Sequence, residues 1–68
     1  AWIDAINLNG IDTAPGAGDW TLEITNGVSY SIDTENAILE FDGSATGTIS
    51  IGGDELSFDN VEKITWSP

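Results

Sequence analysis

Two short stretches place carboxylates beside glycine, Asp42-Gly43-Ser44 and Gly52-Gly53-Asp54-Glu55. A turn lets several oxygens converge at about 2.3–2.6 Å, the spacing Ca²⁺ requires. Asp42, Asp54 and Glu55 are therefore the candidate metal ligands, with Asp12 and Asp19 flanking a further Gly/Pro-rich segment. The reading favoured over this is turn chemistry, because Asp and Gly are the residues turns use. Neither an EF-hand loop nor the glycine-rich nonapeptide of a calcium-binding β-roll is present. Calcium is the one cofactor these residues suggest, and no other is expected.

The tryptophans offer a second kind of chemistry, stacking against sugar rings. Trp20 falls in phase with neighbouring apolar residues, which marks it for the core. Trp2 and Trp66 lie near the two ends and are the candidate ligand-binding pair, expected to be partly exposed. The reading favoured over this is that they close the two ends of a small core.

Catalysis has little to work with. The chain has no His and no Cys, so neither a Ser-His-Asp nor a Cys-His arrangement can form, and a tetrahedral zinc site lacks its favoured ligands. A Ser-Lys pair would have to use Lys63, whose neighbours Asp59 and Glu62 suggest a solvated ion pair instead. Paired carboxylates serve glycoside hydrolysis, but among twelve acidic residues chance pairs are unavoidable without a cleft to select them. The chain is not expected to be an enzyme.

Twelve acidic residues against one Lys leave a net charge of -11. Such a surface repels phosphate backbones and anionic lipid, so nucleic acid is excluded as a partner. There is no apolar run long enough for membrane insertion and no basic-then-apolar leader. The acidity suits solubility in a salty medium, where repulsion is screened within ~8 Å, or uptake of a hard cation. Beginning at Ala1, the chain is expected to be a processed product or a domain excised from a longer protein.

Sixty-eight residues suffice for one domain, 1–68. At this size folding buries only about 60% of the chain's surface, and without Cys no disulfide reinforces it. The elements that must position the candidate residues are strands, because apolar residues alternate with polar ones. Trp20, Leu22 and Ile24 form one such series, Val28, Tyr30 and Ile32 a second, Ile49 and Ile51 a third, Leu56 and Phe58 a fourth.

Matching faces sets the expected registers. A three-residue loop Thr25-Asn26-Gly27 would oppose Ile24 to Val28, Leu22 to Tyr30 and Trp20 to Ile32, with Gly27 at positive φ in a G1 bulge. A two-residue turn at Gly53-Asp54 would oppose Ile51 to Leu56 and Ile49 to Phe58. Ile38 to Phe41 reads as a strand ending in a turn at Asp42-Gly43-Ser44, and Ile64-Thr65-Trp66 as a closing strand. Asp59-Asn60-Val61-Glu62 has the form of a capping box, predicting a short helical turn. Trp2 to Leu8 is apolar on both parities, as in a strand covered on both sides or one with a bulge, and Gly10 to Asp19 is a loop. The expected fold is all-β: a small antiparallel sandwich or open barrel of about six short strands joined by hairpins.

The order Trp2…Asp4-Ala5-Ile6-Asn7-Leu8, Gly18-Asp19-Trp20-Thr21-Leu22, Ala45 to Ile51 and Leu56 to Trp66 resembles a short β module of large secreted alphaproteobacterial proteins. Those proteins also carry RTX-type calcium repeats or a Hint self-processing domain. The resemblance spans nearly the whole chain, and its most specific part is Phe58-x-x-Val61-Glu62-x-Ile64-x-Trp66. It implies a secreted or cell-surface setting rich in calcium, and it supplies no active site. The Hint Cys and His are absent, as are the calcium repeats. The expected function is that of a non-catalytic module serving as spacer, adhesion or assembly unit, with neighbouring domains or identical subunits as partners. The alternatives are a filament or shell subunit that assembles by strand addition, and a carbohydrate-binding module.

Overall fold

A computed structural model describes residues 4–68. It contains five strands and, among the described residues, no helix: β1 (Ala5–Asn9), β2 (Trp20–Ile24), β3 (Tyr30–Asp33), β4 (Ile38–Ile51) and β5 (Asp54–Ser67). They form one sheet that does not close, ordered β1-β5-β4-β2, with β3 also paired to β4. The all-β expectation holds at this level. The sheet is mixed and not wholly antiparallel, because β1 runs parallel to β5, with Ile6 opposite Ile64 and Leu8 opposite Trp66.

The β4–β5 hairpin is the frame. Its turn is Gly52-Gly53, both at positive φ (56° and 93°), as a two-residue hairpin of the primed type requires. This corrects the register expected from Gly53-Asp54: Ile51 opposes Asp54, Ile49 opposes Leu56 and Gly47 opposes Phe58. The two glycines together favour the turn, and the outcome leaves Leu56 48% exposed near the hairpin tip.

Four shorter segments expected along this hairpin merge into two strands of 14 residues each. Asp42-Gly43-Ser44 is not a turn. It lies inside β4, where the ladder to β5 shifts register between Glu40 and Ala45 and again before Gly47. The capping-box segment is not helical either, since Asp59 to Glu62 lies within β5. Asn60 takes φ 60° there, and Asn tolerates the left-handed region better than most residues. Asp59 accepts a hydrogen bond from the Thr46 hydroxyl across the ladder and does not cap a helix. An isolated Asp-x-x-Glu carries no information about a partner strand, and here the partner strand decides.

These irregularities let the hairpin bend. Fourteen residues of straight strand would span about 46 Å at ~3.3 Å each, yet the molecule is only 28 Å along its longest axis. Bending folds one apolar face inward. Trp20, opposite Ile51 near the hairpin turn, meets Trp66 from the far end of β5 with ring centroids 5.9 Å apart. Phe41 likewise reaches Phe58 at 6.1 Å. Leu39, Ala45, Ile49 and Ile64 are fully buried between them, and Leu8, Ile11 and Val61 complete the core.

Strands β2 and β3 do not pair with each other, which overturns the Thr25-Asn26-Gly27 hairpin. Both lie along the same edge of β4, one after the other: β3 opposes Ile38 to Phe41 and β2 opposes Gly47 to Ile51. The connection is held by β4 itself. Thr25 N–H donates to the Thr46 carbonyl, the Asn26 side chain donates to the Ser44 carbonyl and accepts from Thr46 N–H, and Asp42 N–H donates to the Ser29 carbonyl. Gly27 does sit at positive φ, 74°, but in this connection and not in a bulge between β2 and β3. Matching faces were satisfied equally well by β4, whose length offers two partners a place.

Candidate functional site

The candidate metal ligands fall in two places. Asp42 lies on the exposed outer side of β4, opposite Ser29 at the entrance to β3. Asp54 and Glu55 open β5, opposite Ile51 and Ser50 beside the hairpin turn, and both are exposed. The sheet pairings do not bring Asp42 beside the other two. Among the described residues, no three carboxylates converge as a metal-holding group. Asp19 has a local role: it accepts a 3.0 Å bond from the Thr13 hydroxyl, while the Thr13 carbonyl accepts from the Trp20 indole N–H at 2.8 Å. The Gly/Pro loop is thereby tied to the core tryptophan.

Trp66 was expected to be partly exposed and is instead 6% exposed. Its ring is spent on the core contact with Trp20, because the bent sheet brings the end of β5 over β2. Trp2, the other candidate ligand-binding residue, lies outside the described residues. Strand β1 begins at Ala5, with Leu8 buried, Ile6 half-buried and Ala5 exposed, so the described part has one covered face.

The outer face of the sheet carries short polar side chains. Thr65 bonds Asn7 and Ser67 bonds Asn9 across the β1–β5 ladder. Lys63, the single basic side chain of the sequence, stands half-buried opposite Glu40, a cross-strand pairing not visible from its sequence neighbours.

Among the described residues the exposed aromatic is Tyr30, which alternation marks for the core. It is 44% exposed, Ile32 on the same strand is 41% exposed, and the Tyr30 ring meets Phe41 edge-on at 5.9 Å. An open groove lined by Ser29, Tyr30, Ser31, Glu40, Phe41 and Asp42 runs here. Nothing in the residue types distinguishes Tyr30 and Ile32 from Trp20 and Leu22, since only their place at a sheet edge sets them apart.

The chain matches no family model, no curated protein and no solved structure.

Proposed function

We propose that this chain is a non-catalytic β module of a secreted or cell-surface protein, serving as a spacer, adhesion or assembly unit. The observation that carries this reading is the division of labour across the bent hairpin. Its inner face is consumed by the core, including Trp20 and Trp66, while its outer face carries hydroxyls, amides and carboxylates. A net charge of -11 keeps such a face hydrated and repels copies of itself. Calcium outside the cell would screen these carboxylates without a dedicated site.

The location is tested by labelling intact source cells with an antibody raised against the chain, before and after permeabilisation. Staining of unpermeabilised cells, or recovery in the medium, is the expected result. Staining only after permeabilisation overturns the reading. The role of calcium is tested by thermal melts in CaCl₂, MgCl₂ and NaCl at matched ionic strength. Equal shifts are expected from screening, whereas a saturable calcium-selective shift removed by Asp42→Asn or Asp54→Asn would establish a specific site.

A further inference from the structure

Strand β3 leaves two side chains uncovered. Tyr30 and Ile32 lie on the same face as buried Phe41 and Leu39, which they oppose, yet more than two-fifths of each is exposed, 44% and 41%. The backbone of the same two residues is also unpartnered. Along an antiparallel ladder, pairs that exchange both hydrogen bonds alternate with pairs that exchange none. The 2.8 Å bond from Asp42 N–H to the Ser29 carbonyl makes Ser29–Asp42 a bonded pair. Ser31–Glu40 and Asp33–Ile38 follow in the same phase. Tyr30 and Ile32 therefore point their N–H and C=O groups away from β4, and among the described residues no strand lies on that side. Two residues at alternate positions thus present free main-chain groups and free apolar side chains together, the combination an added strand uses.

Charge selects the occupant. The opposite face of this edge carries Ser31 and Asp33 on β3, with Glu40 and Asp42 beside them on β4. A second copy would bring like carboxylates against these and a further net charge of -11, and like charges across a strand pair are destabilising. A strand alternating aliphatic with Lys or Arg side chains meets both faces: the aliphatic groups rest on Tyr30 and Ile32, and the cations lie on the side of Asp33, Glu40 and Asp42. We propose that the free edge of β3 docks an extended basic segment of this alternating kind, which joins the sheet as a further strand beside Tyr30 and Ile32. This goes beyond the module reading and holds wherever in or out of the cell the domain works.

The probe is the peptide Lys-Val-Lys-Val-Lys-Val, titrated into the ¹⁵N-labelled chain, with Glu-Val-Glu-Val-Glu-Val as its counterpart. The basic peptide is expected to slow amide exchange at Tyr30 and Ile32 by about tenfold or more. Its affinity should fall as NaCl rises from about 0.05 M to about 0.5 M, where the screening length shrinks from ~14 Å to ~4 Å. The variants Ile32→Lys and Tyr30→Ser, checked for folding by circular dichroism, should each weaken binding about fivefold or more, since edge charge and lost apolar contact both oppose strand addition. Leu56→Thr, at an exposed apolar position away from β3, should leave binding unchanged. Three outcomes overturn the proposal: equal binding of the acidic peptide, perturbation spread over the acidic surface without protection at Tyr30 and Ile32, or peptide-free self-association through the same two amides, which would make a second copy the occupant.

Discussion

Strands β2 and β3 share an edge of β4, are joined by five residues and have the same alternating pattern, yet they end in opposite environments. Trp20 of β2 is 1% exposed, with Leu22 and Ile24 half-buried behind it, whereas Tyr30 and Ile32 of β3 stay largely open. Alternation tells which side chains share a face and not whether anything covers that face. Cover comes from the bend in β4 and β5, which brings Trp66 over β2 and leaves β3 at the rim. The Gly/Pro loop adds to the difference by holding the Trp20 indole through the Thr13 carbonyl.

The contrast is tested most strongly by truncating the two aromatics. Trp20→Ala should cost about 3–5 kcal/mol, the usual range for removing a buried large aromatic, enough to unfold much of a domain this small. Tyr30→Ala should cost only about 1–2 kcal/mol, mainly the edge-on contact with Phe41. Denaturant melts of the two variants measure the gap, and equal losses would mean that β3 is as well covered as β2.

Next in size is Gly47→Ala. A Cβ at Gly47 would sit 2.0 Å from the Glu23 carbonyl oxygen of β2, so β2 must move away from β4. The expected loss is about 3 kcal/mol, at the upper end for overpacking, and hydrogen exchange should show β2 amides losing protection before those of β3. Uniform loss along both strands would break the comparison.

At the β3 side a substitution should stabilise. Ala37, in the turn between β3 and β4, holds φ 56°, a region costing an L-residue about 1–2 kcal/mol. Ala37→Gly removes that strain against a smaller entropic loss. A gain of about 0.5–1 kcal/mol is expected, which thermal melts would register as a rise of roughly 4 °C.

The smallest effect concerns Asp33 at the end of β3. Its carboxylate accepts from the Asn36 side chain, and from the backbone N–H groups of Asn36 and Glu35. The Asn36 side-chain bond leads in holding its pKa below the ordinary 3.8. A folded pKa below the unfolded one stabilises above about pH 3.8 and loses that contribution as pH falls through and beneath that value. Asn36→Ala should therefore lower the melting temperature slightly at pH 7 and by less in acid. A pH-independent loss would assign Asn36 a role apart from this carboxylate.

Much of the strand content was legible. Trp20 and Ile49 could be read as inward-facing because period-two alternation needs nothing beyond neighbouring residues, whereas the face of Leu39 depended on a register that the small residues Ala45-Thr46-Gly47 left open. Two of the failures share one cause: Asp42-Gly43-Ser44 and Asp59-Asn60-Val61-Glu62 are each plausible local punctuation, and in each the long-range ladder between β4 and β5 overrode the local preference. The hairpin turn moved by one residue because Gly52-Gly53 suits it better than Gly53-Asp54, and the Thr25-Asn26-Gly27 hairpin gave way to pairing with β4. The metal candidates Asp42, Asp54 and Glu55 were chosen as turn residues, so the reassignment of Asp42 to mid-strand separates it from the turn that Asp54 and Glu55 adjoin.

By itself the sequence determined the all-strand character, the acidity and the lack of any His or Cys chemistry, because these depend on residue type and on spacing along the chain. Tertiary structure alone decided that β2 and β3 lie in tandem on β4, that Trp66 meets Trp20 and that Tyr30 and Ile32 stand at an open edge. The physical reason is that partner choice and cover depend on where two long strands bend. That bend is set by register shifts between residues far apart in sequence, which no local pattern encodes.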